Sequence, residues 1–457
     1  MANTYLTRTP SSAGNRKKFT ISFWVKRSGL SSNGNIFSAT NNASGSNERF
    51  YVLFGSGDTL SFKQYDGSNT NFDLTTNRKF RDTNCWYHIF YVFNSYDGTP
   101  NNRQRLWVNG VEETSFSSRT NPGGNADSFV NQTKPHNIGN DTNVGSRFFN
   151  GLISHFHFID GTTPAYTEFG STDATTGEWK IKTPTPESDV YYGTNGFFIL
   201  KDGNSVTDQS GKGNNLTVGG GTLTKTEDCP SNIFATGNRL NVNSGGVGTF
   251  QYGNNDITVN GASGSQFGSS STLGMTTGKF YCEAKIITVD STMIGVSPSP
   301  SEDARNDRSP SGGSSSGAVG CLVETGNKYV SGNGTTYGAA TSANGIMMIA
   351  LDLDNLKVYF GSGGQWSNGS GAWNQSGLTS GAALSLTAVA STAEGAYFFS
   401  FGDGGGSATG RVQWNFGNGY FGTTAVSSAG TNASGIGIFE YDVPTGYTAL
   451  STKGLNL

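Results

Sequence analysis

Two carboxylates lie close together at Asp352 and Asp354, in the stretch A-L-D-L-D-N. Residues at i and i+2 of a strand point to the same face, so the two side chains would lie side by side. Glycoside hydrolysis with retention uses two carboxyl groups about 5 Å apart. Asp354 and Asn355 also have the chemistry of a turn, since both side chains tolerate left-handed backbone. We therefore expect these aspartates to end a strand and start a turn, with catalysis as the alternative.

Histidines form a second candidate group, at His155 and His157, with Asp160 just beyond them. Two histidines at i and i+2 of a strand could bind one metal ion. The spacing shows no third ligand, so we expect outward-facing histidines on a sheet and no metal site. His88 lies within an apolar run, W-Y-H-I-F-Y-V-F, and is expected to be a hydrogen-bonded core residue.

Four aromatic residues lie in glycine-rich loops and form the candidate ligand-binding surface. Trp366 and Trp373 belong to S-G-G-Q-W-S-N-G-S-G-A-W-N, and Tyr329 and Tyr337 to Y-V-S-G-N-G-T-T-Y. Loops carry recognition on rigid β-scaffolds, and aromatic rings contribute to binding by stacking. The alternative is that the four rings pack beneath the loops.

The elements that must position these residues are predicted to be strands. In residues 345–366, Met347, Ile349, Leu351 and Leu353 alternate with less apolar residues, which predicts a strand with one buried face. The turn at Asp354-Asn355 then leads into a return strand. Because no segment shows a long period of 3.6 residues, we expect helix to be below about 8%.

Composition supports an all-β protein. The chain has 457 residues, of which 66 are glycine, and only 14% are charged. That length allows two or three domains, and short strands joined by Gly, Asn, Ser and Thr turns suit such a sequence. The four cysteines have no metal-like spacing and are expected to be reduced thiols; they are Cys85, Cys229, Cys282 and Cys321.

The charge and hydropathy of the sequence indicate which classes of partner to expect. The net charge of −3 gives no reason to expect nucleic acid or an anionic membrane. No run approaches the roughly 18 apolar residues of a membrane helix, and the first residues lack the apolar core of a signal peptide. A local basic group is interpreted as solvated surface or as a docking contact with a protein; it comprises Arg8, Arg16, Lys17, Lys18, Lys26 and Arg27.

Residues 1–163 form the first predicted module. Its motifs, in order, are F-T-I-S-F-W-V-K, W-Y-H-I-F-Y-V-F, L-W-V-N-G and F-F-N-G-L-I-S. This order resembles the laminin-G and concanavalin-A-like lectin/glucanase group, which implies a jelly-roll sandwich of two antiparallel sheets. Residues 164–234 are predicted to be an ordered connector, in which residues 196–200 form a strand that pairs with a module.

Residues 235–457 form the second predicted module. G-K-F-Y-C-E, I-G-V-S, A-L-D-L-D ahead of V-Y-F, and W-N-F-G occur in the order found in SPRY domains, which are concanavalin-like sandwiches. The resemblance is broken at residues 361–364, G-S-G-G, where SPRY domains usually carry Asn-Gly. The fold class predicted for the whole chain is therefore two antiparallel β-sandwiches joined by an ordered connector.

The laminin-G resemblance also implies a Ca²⁺ site at a loop rim. The candidate oxygen ligands are Asp97, Asp127, Asp141 and Asn143. Such residues also form turns without metal, so no cofactor is expected and Ca²⁺ stays an open alternative. Glucanases of this group carry E-x-D-x-x-E on one strand; the sequence has no such string, and Glu283 is an isolated acid.

Motifs along the whole chain resemble virion proteins of marine tailed phages. They include F-I-D-G-T-T-P, D-Q-S-G-K-G-N-N-L and F-E-Y-D-V-P-T-G-Y. The resemblance implies a non-enzymatic surface component of a virion, such as a fibre, knob or appendage, assembled in the host cytoplasm. Its expected partners are other virion proteins, further copies of itself and host-surface glycans. The alternatives are a purely architectural decoration protein and a glycan depolymerase.

Overall fold

The computed structural model describes residues 3–40, 47–141, 144–145, 147–184, 191–201, 205–242, 247–260, 268–298, 317–330, 333–392, 394–403 and 409–457. The chain forms two compact units. The first comprises Met1–Lys225 and Cys229–Ser231, and the second comprises Thr226–Asp228 and Asn232–Leu457. Most of the segment expected to be a connector, residues 164–234, thus belongs to the first unit.

The first unit contains sixteen strands within its described residues. They are β1 (Tyr5–Arg8), β2 (Lys18–Arg27), β3 (Gly34–Thr40), β4 (Arg49–Phe54), β5 (Thr59–Tyr65), β6 (Thr70–Lys79), β7 (Trp86–Asn94), β8 (Gln104–Val108), β9 (Val111–Glu112), β10 (Phe116–Thr120), β11 (His136–Ile138), β12 (Gly151–Asp160), β13 (Gly170–Thr172), β14 (Trp179–Ile181), β15 (Phe197–Ile199) and β16 (Thr217–Gly220).

Two antiparallel sheets share the core of the first unit. The order of the eight-stranded sheet is β10-β6-β5-β4-β3-β11-β1-β16, and that of the six-stranded sheet is β15-β12-β2-β7-β8-β9. Alternate residues of each strand enter the core, such as Phe19 and Phe23 from β2 and Phe50 and Phe62 from β4 and β5. The predicted strand at residues 196–200 is confirmed, because β15 pairs with β12.

The outer face of the six-stranded sheet is buried as well. Phe90 and Trp107 point away from the shared core and pack against Phe169, Tyr192 and Phe198, which follow β12 in the chain. This second apolar layer explains why β7 is apolar on both faces, as a central strand must be when both of its faces are covered. The described parts of residues 164–199 therefore cover this sheet.

The second unit contains nineteen strands within its described residues. They are β17 (Gly237–Val242), β18 (Val247–Gln251), β19 (Asp256–Asn260), β20 (Gly268–Ser271), β21 (Lys279–Thr288), β22 (Thr292–Ser297), β23 (Val319–Leu322), β24 (Asn327–Val330), β25 (Asn333–Thr335), β26 (Ile346–Asp352), β27 (Lys357–Ser362), β28 (Gln365–Ser367), β29 (Trp373–Gln375), β30 (Leu384–Ser385), β31 (Phe398–Asp403), β32 (Arg411–Asn415), β33 (Tyr420–Phe421), β34 (Thr424–Ala425) and β35 (Thr448–Ala449).

The second unit is also built on two large sheets. The seven-stranded sheet has the order β17-β20-β31-β22-β23-β24-β25. The ten-stranded sheet has the main path β18-β19-β32-β21-β26-β27-β28-β29, to which β30 and β35 add at β27 and β21. Side chains from both sheets, including Ile294, Phe401, Cys282 and Ile349, form one core.

The hairpin predicted at residues 345–366 is confirmed as β26 and β27, in a register that pairs Asp352 with Lys357. The prediction of one buried face was wrong. Met347, Ile349 and Leu351 enter the main core, whereas Met348 and Ala350 are buried on the opposite face against Phe439 and other residues of the C-terminal segment. Hydrophobic alternation could not show that a distant segment covers the second face.

The predicted fold class is confirmed. Both units are β-structures whose strands pair antiparallel, except that β35 pairs in parallel with β21, and the described residues contain no α-helix, only single turns of 3₁₀-helix such as Pro100–Asn102. None of the helices in the described ranges is long and apolar enough to cross a membrane.

The basic residues near the N-terminus do not form a single exposed group. Lys26 and Arg27 are buried in β2, and Arg27 forms an ion pair with Asp58 at 3.1 Å. The interpretation of these two side chains as solvated or docking surface is corrected, because β2 lies inside the sheet between β12 and β7. Arg16 is more exposed and pairs with Asp127 at 3.2 Å.

Candidate functional site

Two of the four predicted ligand-binding rings are buried. Trp366 is 5% exposed and packs with Tyr281, with ring centroids 6.2 Å apart. Tyr337 has no exposed surface, and its hydroxyl donates a hydrogen bond to Ala382 O at 2.7 Å. A ring without an exposed face cannot stack on a ligand in this conformation. Trp366 and Tyr337 therefore pack beneath the loops, as the alternative predicted.

Tyr329 and Trp373 are half-buried; Trp373 lies on β29, the last strand of its sheet, and Tyr329 lies on β24, next to the edge strand β25. The indole Nε1 of Trp373 donates to Ala339 O at 2.7 Å, and the ring lies against Gly338. The ring of Tyr329 lies against Gly334 on the neighbouring strand. The four rings therefore do not form the expected continuous surface, although Tyr329 and Trp373 keep exposed parts.

The candidate Ca²⁺ ligands have other partners. Asp141 is fully buried and pairs with Arg49 at 2.8 Å and with Arg147 at 3.8 Å, so a cation there would meet two guanidinium groups. Asp97 accepts a hydrogen bond from Thr99 N at 2.8 Å. Asn143 lies outside the described residues, within which no group of three His, Cys, Asp or Glu side chains could hold a metal ion.

His88 is a hydrogen-bonded core residue, as predicted. The indole Nε1 of Trp179 can only donate, and it lies 3.0 Å from His88 Nδ1. In the neutral ring Nε2 then carries the proton and donates to Ser22 Oγ, 2.9 Å away. Burial lowers the pKa of His88 to about 3, which keeps the ring neutral. This tautomer cannot take a proton from Ser22, so the two residues are not a nucleophile and its base.

His155 and His157 both lie beside the ring of Phe198, but they are not regularly spaced along the strand. A β-bulge between Ser154 and His157 shifts the register against β2, and His155 has a φ of +47°. His157 is buried, with Nδ1 3.0 Å from the Tyr192 hydroxyl and its ring stacked on Phe198 at 3.9 Å. The expectation of outward-facing histidines is corrected for His157, which Phe169, Tyr192 and Phe198 cover, whereas His155 is half-buried.

The carboxylates of the second unit are structural. Asp352 accepts hydrogen bonds from Asn355 and pairs with Lys279 at 3.0 Å, which confirms its place at a strand end and turn. Asp354 Oδ1 accepts from Gly278 N at 2.8 Å. Within a hairpin these contacts fix the backbone conformation.

Glu283 is a buried acid whose role the sequence did not show. Its carboxylate accepts from Tyr281 Oη at 3.0 Å, Asn415 Nδ2 at 3.3 Å, and the backbone N–H groups of Glu440 and Tyr441 at 2.9 and 2.8 Å. Burial raises its pKa to about 7, against the opposing effect of these four donors. The contacts fix the C-terminal segment to β21.

The eight-stranded sheet carries a polar and aromatic outer face. Residues directly opposite one another form a row across five neighbouring strands, which runs Asn137, Ser38, Tyr51, Lys63 and Asp73. These side chains alternate with inward-pointing residues of the shared core, so period two places them on the side away from it. Part of this face remains accessible at Tyr51 and Lys63.

Arginines lie beside two tyrosines on this face. Arg49 is directly opposite Tyr65, and its Cζ is 5.7 Å from the centre of that ring and 5.1 Å from the centre of the Tyr51 ring. Arg147 Cζ is 6.0 Å from the Tyr51 ring. We call Arg49, Tyr51, Lys63, Tyr65 and Arg147 the tyrosine–arginine face.

The sequence alone indicates part of the tyrosine–arginine face. Tyr51 alternates with Phe50 and Val52, and Lys63 with Phe62 and Gln64, so period two alone predicts that they point away from the core. Nothing local placed Arg147 beside Tyr51, because the loop that carries it reaches this face only in the folded unit.

Comparison with known proteins finds a family model that matches part of the first unit. The model of a laminin-G family, described as the concanavalin A-like lectin/glucanases superfamily, matches residues 2–165, about a third of the chain. No curated protein matches the chain.

Solved structures similar to this chain include three β-proteins. The SPRY domain of human HERC1 has 14% identity and a TM-score of 0.29, covering 39% of this chain and 96% of that one. A heptameric SAP-like pentraxin from Limulus polyphemus has 16% identity and a TM-score of 0.29, covering 49% and 91%. Domains LG4-5 of the mouse laminin alpha1 chain have 10% identity and a TM-score of 0.28, covering 90% and 85%.

The tyrosine–arginine face belongs to the part of the chain that the family model matches, since its five residues lie between positions 49 and 147. Residues 2–165 of this all-β chain are thus similar to the concanavalin A-like lectin/glucanases superfamily.

Proposed function

We propose that the protein is a non-enzymatic surface component of a tailed-phage particle that binds glycans through the tyrosine–arginine face. The observation that carries the glycan part is the pair of partly exposed tyrosines, flanked by arginines, on the partly accessible outer face of the eight-stranded sheet, within the residues that the lectin-type family model matches. The motifs that resemble phage virion proteins support the particle part.

The chemistry of this face suits a sugar. Sugar rings present apolar C–H patches that pack against aromatic rings, and each such contact contributes on the order of 1 kcal/mol. Arg147 and Lys63 can donate hydrogen bonds to hydroxyl groups, which are good acceptors. Binding at one face would be weak, and several copies on one particle would raise it through avidity.

Hydrolysis is not part of the proposal. Two carboxylates at this face, Asp73 and Asp141, each have a cationic partner, Lys63 at 3.2 Å and Arg49 at 2.8 Å. A glycosidase needs one carboxyl group protonated as general acid. Both carboxylates are engaged in ion pairs with cations of this face, so we assign them a structural role.

The glycan part is tested with Tyr51→Ala and Tyr65→Ala. Each variant is expected to lose about tenfold in affinity for glycans bound by the unsubstituted protein on an array, since each removes one stacking contact. Tyr96→Ala is the matched control, because Tyr96 is 55% exposed and also has a cation near its ring, Lys17 at 5.8 Å. If the chain binds no glycan, or if all three variants bind alike, the proposed site is wrong.

The particle part concerns location and partners. We propose that the chain assembles in the host cytoplasm onto other virion proteins as a homo-oligomer, since closed symmetry suits repeated surface components. Cryo-electron microscopy of purified particles should show several copies at a symmetric position. Particles that lack the chain would overturn this part. A chain that is present on particles but binds no glycan would be an architectural decoration protein.

A further inference from the structure

We infer that the tyrosine–arginine face selects glycans that carry an anionic group, and that Arg147 recognises the negative charge. The inference rests on the proposed glycan binding and adds the chemical class of the ligand. It follows from the balance of charge on the face and from the unequal bonding of its two arginines.

The charges on this face do not cancel. Three cations, Arg49, Lys63 and Arg147, lie with two carboxylates, Asp73 and Asp141, which leaves a net charge of +1. Lys63 pairs with Asp73 at 3.2 Å, and Arg49 pairs with Asp141 at 2.8 Å. Arg147 has only the longer contact with Asp141, at 3.8 Å. The unbalanced positive charge is therefore that of Arg147.

The two arginines differ in what they can still bind. The Arg49 side chain is 8% exposed, and its Nη1 donates to Asn47 O at 2.7 Å in addition to the ion pair. Arg147 is 24% exposed, and its guanidinium donates no hydrogen bond to any residue that the structure describes. Arg147 thus has free N–H groups that solvent reaches, whereas Arg49 holds the loop through Asp141.

A guanidinium with free N–H groups beside an aromatic ring fits an acidic sugar. Two parallel N–H groups of arginine can donate to the two oxygens of a carboxylate or to two oxygens of a sulfate. Tyr51 lies within 6.0 Å of the Arg147 Cζ, so a sugar packed against the exposed part of this ring would bring an acidic substituent within reach of Arg147. A neutral sugar would gain the packing contact but not the charged pair.

The test compares ligands that differ only in charge. Full-length protein is titrated with oligogalacturonate and with its methyl ester, and with a sulfated oligosaccharide and its desulfated form. We expect at least one acidic form to bind about tenfold more tightly than its neutral counterpart, with a preference that falls as salt rises. The pair that shows the preference identifies carboxylate or sulfate as the group recognised.

Variants at Arg147 separate charge from packing. Arg147→Gln is expected to bind acidic and neutral forms equally, and Arg147→Lys to recover part of the preference because it restores the charge without the planar fork. The control is Arg105→Gln, since Arg105 also lies over an aromatic ring, Trp107 at 4.5 Å, and pairs with an acid, Glu112 at 2.6 Å, but belongs to the other sheet.

The outcomes distinguish this inference from the proposed function. Equal binding of charged and neutral ligands, lost in Tyr51→Ala, would overturn the role of Arg147 and keep the glycan site. A preference that persists in Arg147→Gln would also overturn it. Absence of binding to every ligand would overturn the glycan site itself.

Discussion

At the scale of single residues, Glu283 shows how a buried charge can fix a segment. Four donors surround its carboxylate, two of them backbone N–H groups of Glu440 and Tyr441 in the segment that covers the ten-stranded sheet. Burial disfavours the ionised form and raises the pKa from 4.5 to about 7 in spite of these donors. The acid therefore couples the attachment of the C-terminal segment to pH.

We predict that the second unit loses stability as the pH rises from 4.5 to 7. A carboxyl group with a raised pKa binds its proton more tightly in the folded state, so its contribution is full below pH 4.5 and lost as the pH passes through 7. The shift corresponds to about 3 kcal/mol in the free energy of unfolding. Urea denaturation at several pH values measures this slope.

Glu283→Gln should remove most of the slope, because the amide does not titrate. The variant should also be less stable than the unsubstituted protein at pH 5. One carboxyl oxygen, which accepts hydrogen bonds from N–H groups, is replaced by an NH₂ group, which cannot accept them. The exposed Glu394 supplies the control, Glu394→Gln, which should keep the slope. The same slope in both variants would show that Glu283 does not cause the pH dependence.

At the scale of elements, the hairpin of β13 and β14 attaches to the six-stranded sheet through one side chain. Trp179 donates to His88, and its ring lies so close to Gly110 and Gly170 that a Cβ at either position would be 2.4 Å from a ring carbon. Gly110 also has a φ of +75°, which favours glycine at this turn. The hairpin can lie on the sheet because both contact positions lack a side chain.

We predict that Gly170→Ala displaces Trp179 and loosens this hairpin, at a cost of roughly 1–3 kcal/mol as for other overpacked sites. Limited proteolysis should cut within residues 170–181 faster than in the unsubstituted protein, and tryptophan fluorescence should shift toward that of a solvated indole. Gly98→Ala is the control, since no atom lies within 4 Å of a Cβ there. Equal cleavage of the two variants would contradict the role of this contact.

At the scale of the whole molecule, the chain consists of two units that each have their own core and cover. In the first unit, residues 164–199 cover the six-stranded sheet; in the second, residues near the C-terminus cover the ten-stranded sheet. Each unit is thus a sandwich with a third layer on one sheet. In the first unit, part of the outer face of the eight-stranded sheet remains accessible, at Tyr51, Lys63 and Tyr65.

We predict that deletion of residues 1–18 destabilises the first unit and leaves the second intact. The deletion removes β1, which lies between β11 and β16, together with buried Leu6 and the hydrogen bond from Asn15 N to Asp160. Loss of a buried leucine alone costs roughly 2–5 kcal/mol. Any release of this variant from particles would then follow from unfolding, and not from loss of a basic docking surface.

Denaturation followed by proteolysis and mass spectrometry would assign each transition to a unit. The unfolding transition of the second unit should keep its midpoint. The midpoint for the first unit should move to a lower denaturant concentration. An unchanged first transition would show that β1 is dispensable and would restore the docking interpretation of the N-terminal stretch.

The sequence by itself determined the local structure. Period-two alternation is a property of the strand backbone, so it located β26 and the side chains that enter the main core from it, and the apolar run of residues 86–93 marked β7. Turn chemistry is equally local: Asn109-Gly110 suits the tight connection of β8 and β9, in which both residues have positive φ values of 48° and 75°. These local features allowed the all-β fold to be predicted without knowledge of any long-range contact.

Only the tertiary structure decided which face of each strand stays open. Trp366, Tyr337 and His157 are buried because distant segments lie over them, and no local pattern specifies such a cover. Arg147 meets Tyr51 for the same reason, since a loop far along the chain folds onto β4. Strand periodicity assigns a side chain to one of two faces, but whether that face meets solvent depends on free energy gained by segments elsewhere in the chain.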